Sequence, residues 1–233
     1  MSLVSLFQLT GWLVIIVSKI RVMLVDDHDL VRFGIRRLLD DQSGIEVVAE
    51  AGSGEDAIST ARTADIDVVL MDINMPGIGG FEATRRLHQG YSDLKIIIIT
   101  VCEDGPLPRR LLEAGAMGYL TKGCDVAEMV EAIKQVHTGK RYIAPVIAQQ
   151  LAVSMLPGHE SMIDSLSRRE LQVLIMIAQG LKNNAISEKL NLSPKTVSTY
   201  RKRLHEKLGV SSDVEIHRLA IQYGLVGDEE VVH

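Results

Sequence analysis

From Ile20 onward the chain alternates two spacings of apolar residues. Short apolar runs stand at IRVMLV (20–25), IEVVA (45–49), DVVLM (67–71), LKIIIIT (94–100) and GYLT (118–121). Their length, their β-branched content and the Gly, Asp and Ser around them fit strands buried on both faces. Between them, LVRFGIRRLLDD, GEDAISTARTA, GFEATRRLHQ and the Pro-containing GPLPRRLLEAG repeat apolar residues at three or four, and DVAEMVEAIKQVHTG follows the fifth run. Five strands alternating with five amphipathic helices predict an α/β domain, a doubly wound five-stranded parallel sheet with helices on both faces. The pattern changes after Gly139. RYIAPVIAQQLAVSMLPGHES holds one short helical stretch, then Pro157, Gly158 and Ser161, and reads as a linker. Beyond Leu166 only helical periodicity remains, in SRRELQVLIMIAQG, NNAISEKL, PKTVSTYRKRLHEKLG and VEIHRLAIQYGL, which predicts a second, smaller all-α domain. The expected division is an apolar extension at 1–19, the α/β domain at 20–139, a linker carrying a helix at 140–162 and the helical domain at 163–233.

Composition refines this picture in three places. The extension, MSLVSLFQLTGWLVIIVSK, has no charge before Lys19, yet it is broken by Ser2, Ser5, Gln8, Thr10 and Gly11. It is shorter than the roughly 20 apolar residues of a membrane span. No positive charge precedes it, as a signal peptide would need, and Ile20 already begins the first strand. The expectation is an upstream-extended start or an appendage without a membrane role, with interfacial anchoring and then a true span as the alternatives. The net charge of −5 argues against wholesale coating of nucleic acid, but charges from Glu160 onward balance, so the deficit lies before it. Within Pro194–Lys207, Lys195, Arg201, Lys202, Arg203 and Lys207 face Glu206 alone, a local cationic footprint inside an acidic chain. Two cysteines, Cys102 and Cys124, make no disulfide framework. They read as buried free thiols in a reducing, cytoplasmic compartment.

In VMLVDDHDL, residues 22–30, two adjacent carboxylates end the first strand. One reading is turn chemistry, with Asp capping a helix that starts near Asp29. The sheet offers another. Doubly wound sheets bind ligands beyond the carboxyl ends of their strands, where strand order reverses. In the 2-1-3-4-5 order, strands one and three are neighbours, so Asp26 and Asp27 stand beside Asp72, which follows VVLM. Three carboxylates at one rim repel unless a hard cation sits among them, and Mg²⁺ takes carboxylate and phosphate oxygens. Strand four ends in Thr100, a hydroxyl donor, and strand five is followed by Lys122. A nucleophilic carboxylate, a divalent cation, a hydroxyl and an ammonium are what phosphoryl transfer to an aspartate requires. Singly, Thr100 is an ordinary strand residue and Lys122 a solvated charge. Together they define a pocket.

The stretches LVDDHD, VVLMDINMPGIGG, IIIIT and GYLTKG resemble the motifs of two-component response-regulator receivers. The resemblance implies that Asp72 is the phosphoacceptor. It implies Mg²⁺ held by Asp27, Asp72 and the backbone carbonyl of Asn74, with Asp26 assisting. Thr100 and Tyr119 become the switch pair, and Lys122 contacts the phosphoryl group. Tyr119 also has a plainer reading as core filler.

LSPKTVSTYRKRLHEKLGV can be read on its own. Ser193 is a good N-cap and Pro194 suits the first helical position. Val197, Tyr200, Leu204 and Leu208 form an apolar stripe, leaving Lys195, Ser198, Thr199 and Lys202 on the opposite face with Arg203 flanking. The preceding NNAISEKLNL completes a helix-turn-helix. Together with LSRRELQVL, this segment resembles the LuxR/FixJ-type DNA-binding domain. The two resemblances cover roughly residues 20–226 and identify the chain as similar to the NarL/FixJ class of regulators, most like the GacA/UvrY type. They imply Ser198, Thr199 and Lys202 directed at bases and the stretch from Val214 to Leu225 used in dimerisation, while placement on the helix sets Arg203 for a phosphate and Lys195 for a phosphate or a base. Arg201 lies near the buried stripe, which leaves its role open. The implied partners are a sensor histidine kinase, double-stranded DNA and a second copy of the chain when phosphorylated or DNA-bound. Phosphorylation is expected to free the helix-turn-helix from the receiver. The expectation is a regulator rather than an enzyme. Two rivals remain: a haloacid-dehalogenase-like phosphatase, which wants a second Asp where Asn74 stands, and a phosphorylation-independent DNA-binding or scaffold protein with an idle receiver.

Overall fold

The computed structural model describes residues 18–101, 107–154, 156 and 161–227. The apolar extension up to residue 17 and Cys102 lie outside them. Among the described residues no helix is long and apolar enough to cross a membrane. Cys124 is a half-buried free thiol, pushed up to about 11 by burial and by the carboxylates of Glu128 and Asp125.

The five apolar runs become β1 (Ile20–Val25), β2 (Ile45–Ala51), β3 (Val68–Asp72), β4 (Lys95–Thr100) and β5 (Gly118–Thr121). The intervening helices are α1 (Asp29–Asp40), α2 (Gly54–Thr60), α3 (Gly79–Gly90), α4 (Leu107–Glu113) and α5 (Val126–His137). All strand pairings are parallel, and β1 lies between β2 and β3. Every residue of β3 is buried, which is why its sequence is a continuous apolar run and not an alternation. Successive side chains leave opposite faces. Val22, Leu24, Val68, Leu70, Ile97 and Ile99 pack with Leu39 of α1 and Ile133 and Val136 of α5. Met23, Val25, Val69, Met71, Ile96 and Ile98 pack with Ala57, Phe81, Leu87 and Leu111 of α2, α3 and α4. Each such large side chain, fully buried, contributes about 1.5–3 kcal/mol.

Among the described residues the sheet has six strands, not five. β6 (Tyr142–Ile143) pairs in parallel with β5, Gly118 opposite Tyr142 and Tyr119 opposite Ile143, inside the stretch that reads as a linker. Two half-buried residues carry no periodicity, so the apolar pattern is silent there. α6 (Pro145–Ser154) follows directly and buries Ile147 completely. The helix-cap reading of the paired aspartates is corrected, although Asp26 does close a local Asx turn. The residue before α1 is His28, which makes no side-chain cap, and Asp26 Oδ1 instead accepts the His28 backbone N–H at 2.8 Å. At the far end of β3, Gly80 lets α3 begin against the strand, because a side chain there would run into the carbonyl oxygen of Asp72.

The C-terminal part holds a 3₁₀ turn (Met162–Ser165), α7 (Arg168–Ala178), α8 (Asn183–Leu190), α9 (Pro194–Leu208) and α10 (Asp213–Gln222). Ser161 with Asp164, and Ser167 with Glu170, close reciprocal capping boxes at the first two. α9 follows its sequence signals at both ends. Ser193 accepts the Thr196 N–H at 3.1 Å, Pro194 opens the helix and Gly209 ends it at φ 65°. Val197, Leu204 and Leu208 are buried, whereas Tyr200 is only partly so. The core of this bundle runs without a break into the α2–α4 side of the sheet.

Candidate metal centre and nucleic-acid interface

Four strand ends converge at one rim. β1 delivers Asp26, buried, and Asp27, half-buried; β3 ends in Asp72, only 2% exposed. Lys122 follows β5, and its Nζ lies 2.7 Å from Asp26 Oδ2 and 2.9 Å from Asp72 Oδ2. Asp72 Oδ1 accepts the Ile73 N–H at 2.7 Å and, more distantly, the Asn74 N–H at 3.4 Å. Thr100 ends β4, fully buried, and its carbonyl accepts the Lys122 N–H at 2.8 Å. Ile98 pairs with Tyr119, so Thr100 and the fully buried Tyr119 are diagonal neighbours on the same face of adjacent strands. The structure thus brings Asp26, Asp27, Asp72, Asn74, Thr100 and Lys122 to one rim, with Tyr119 beside it.

The electrostatics of the rim follow from burial. Loss of water raises the Asp72 carboxyl to about 6; Lys122 opposes the shift and Asp26 adds to it. Burial also works against charge on Lys122, but Asp72 and Asp26 outweigh it and hold its pKa above the ordinary value. Asp26 and Asp72 share the Lys122 ammonium, whereas Asp27 faces the His28 ring. Sequence reasoning overlooked His28, whose Nδ1 lies 2.9 Å from Asp27 and 3.1 Å from Asp26 and whose pKa these carboxylates raise against the effect of burial. The adjacency in Asp-Asp-His was the available signal. Asp26, Asp27, His28 and Asp72 can each offer a ligand atom within 4.8 Å of the others. A set that is mostly carboxylate oxygen, with excess negative charge, fits a hard divalent cation.

The second candidate surface is the outer face of α9. Lys195, Ser198, Thr199, Lys202 and Arg203 are all exposed, and the first four recur at helical spacing on one side. Lys202 pairs with Glu206 of its own helix at 3.7 Å. Ser198 Oγ donates to the Pro194 carbonyl at 3.0 Å and accepts the Asn183 amide at 3.0 Å, while Thr199 Oγ1 donates to the Lys195 carbonyl at 3.0 Å. Arg201 turns away from this face. Its Nε donates to Asn183 Oδ1 at 3.1 Å and its guanidinium pairs with Asp213, so it braces α9 against α8 and α10.

Contacts between the two parts had no sequence signal. Gln179, at the end of α7, donates to the carbonyl of Met75, next to Asn74, at 2.9 Å. Lys189 of α8 pairs at 2.7 Å with Glu55 of α2, which itself accepts the Ile78 N–H at 3.3 Å. Arg110 of α4 donates to the carbonyls of Ile163, Asp164 and Leu166 at 2.6–2.9 Å. Buried Glu82 of α3 holds Arg85, Arg86 and Gln172.

Known proteins share this arrangement. Residues 22–134 match the response regulator receiver domain, and residues 164–220 match the luxR family of bacterial regulatory proteins. The response regulator GacA of Pseudomonas aeruginosa is 56% identical over 209 residues, covering 89% of this chain and 98% of that protein. The response regulator UvrY of Escherichia coli K12 is 55% identical over 212 residues, covering 90% and 97%. Among solved structures, RcsB from Salmonella enterica serovar Typhimurium, bound to the rprA promoter with phosphomimetic BeF₃⁻, superposes with a TM-score of 0.69 at 26% identity, covering 86% and 98%.

Proposed function

Because the chain belongs to the response regulators, with a receiver domain ahead of a LuxR-type DNA-binding domain, we propose that a sensor histidine kinase phosphorylates Asp72 and that this controls dimerisation and DNA reading by α9. The observation that carries the first half is the buried carboxylate at the end of β3 with an ammonium at 2.9 Å. An Asp72 oxygen attacks phosphorus in line. The new O–P bond forms as the bond from phosphorus to the donor's imidazole nitrogen breaks, and that nitrogen keeps the electron pair. At about 6 the Asp72 carboxyl is still mostly ionised near neutrality, while its burial keeps competing water away. Mg²⁺ held by Asp27, Asp72 and the Asn74 carbonyl, with Asp26 assisting, would neutralise charge on the phosphoryl oxygens. Lys122, now shared by Asp26 and Asp72, is placed to follow the new charge onto the phosphoryl group. Thr100 supplies a hydroxyl from β4, and Tyr119 beside it completes the switch pair. A phosphatase would want a second carboxylate at position 74, where an amide stands.

In the helical domain, α9 enters the major groove. Ser198, Thr199 and Lys202 face bases, Arg203 a phosphate and Lys195 either, with a second copy joined through the region of α10. The test is acetyl phosphate in Mg²⁺. The wild-type chain should gain an acid-labile phosphoryl group, Asp72→Asn none, and Asp27→Asn less because the cation site is weakened. Undiminished labelling of Asp72→Asn would move the acceptor elsewhere.

A further inference from the structure

Two of the side chains on the reading face of α9 have already committed their protons. A hydroxyl has one hydrogen to donate and two lone pairs to accept with. The hydrogen of Ser198 goes to the Pro194 carbonyl and that of Thr199 to the Lys195 carbonyl, both at 3.0 Å. Bonds of this kind turn the oxygen back against the preceding turn. Both residues are exposed, so what Thr199 presents outward is its methyl group. Thymine alone carries a methyl group on its major-groove edge.

We propose that Thr199 reads the 5-methyl group of thymine by apolar contact, and that Asn183 is the positioning residue that fixes Ser198 beside it. The inference rests on the DNA-reading role of α9 given above. Asn183 stands at the start of α8 and bridges two residues of α9, its amide N–H donating to Ser198 Oγ and its carbonyl accepting from Arg201 Nε. Reversing that amide would set donor against donor at Arg201, so its orientation is fixed. Arg201 is anchored in turn by Asp213 of α10. Ser198 is therefore held with one lone pair for DNA and no proton. Lys195 and Lys202 are the proton donors on this face, suited to guanine acceptors.

The experiment begins with duplexes that the full-length chain enriches from a random-sequence pool. Each thymine is replaced in turn by deoxyuridine, which removes only the methyl group. At one thymine per half-site the wild-type chain should lose affinity by about fourfold, the worth of one buried methyl. Thr199→Val keeps a methyl without the hydroxyl, and should retain the deoxyuridine effect. Thr199→Ser should lose that effect. Asn183→Ala should relax preference at the base pair next to that thymine while leaving the methyl effect in place. The deoxyuridine series on the wild-type chain does not depend on any variant folding. No thymine responding, or Thr199→Val losing the deoxyuridine effect, would overturn the methyl contact. Equal weakening of Asn183→Ala on every duplex would overturn its positioning role. If the wild-type chain enriches no duplex, the DNA-reading assignment itself fails, and this inference with it.

Discussion

At the scale of single residues, Asp72 carries the most consequence. Its carboxyl stands at about 6 against an ordinary 3.8, so the folded protein favours the protonated form. The sign follows from linkage. Asp72 contributes most to stability below about pH 4, and that contribution is lost as pH rises through about 6. Without divalent cation, Asp72→Asn should therefore be more stable than wild type near pH 7.5, by up to roughly 3 kcal/mol, with the difference closing towards pH 4. Urea unfolding in a chelator at both pH values checks this; a pH-independent difference would count against it. The carboxylates, Thr100 and Lys122 were legible from sequence because each directly ends or follows an apolar run, and strand order then places those ends together. Arg201 was not legible. Helical spacing puts it near the buried stripe, but its partners, Asn183 and Asp213, come from other helices.

At the scale of elements, α9 was the most readable, since Ser193, Pro194 and Gly209 mark both of its ends and an apolar stripe marks its inner face. Ser193→Ala should cost about 1 kcal/mol through the lost cap. Leu204→Ala, at a fully buried site, should cost about 2–5 kcal/mol, both measured by thermal or denaturant unfolding. On the outer face, Lys202→Ala should lose about 1–3 kcal/mol on the preferred duplex and relax specificity, whereas Arg203→Ala should weaken all duplexes alike and flatten the salt dependence by about one unit. Competition binding against scrambled duplexes over a salt series separates the two; equal loss by Lys202→Ala on both duplexes would refute base reading. β6 was invisible for a physical reason. Its two residues are stabilised by backbone pairing to Gly118 and Tyr119 rather than by a pattern of their own. That pairing ties the connection between the domains directly to a strand of the pocket.

At the scale of the whole molecule, the domains are joined by Arg110, Lys189 and Gln179, which grip backbone carbonyls and one carboxylate across the interface. No periodicity could announce contacts between residues so far apart in the chain. The expectation that the receiver sheds the helix-turn-helix is refined by where they meet. The receiver holds α7, α8 and the 3₁₀ turn, while the outer face of α9 is already exposed. Packing thus fixes the placement of the DNA-binding domain rather than covering its reading face. Arg110→Ala with Lys189→Ala should loosen the pair and enlarge the radius of gyration in X-ray scattering; an unchanged radius would show that the apolar interface and the remaining Gln179 and Gln172 bonds suffice to hold them. Linkage requires that DNA and phosphoryl group favour the same state. The decisive measurement is one titration of an enriched duplex with the full-length chain, before and after acetyl phosphate treatment in Mg²⁺, for wild type and Asp72→Asn. Treatment should tighten binding by wild type and leave Asp72→Asn unchanged. Superimposable wild-type curves, or an equal response from Asp72→Asn, would contradict a switch built on Asp72.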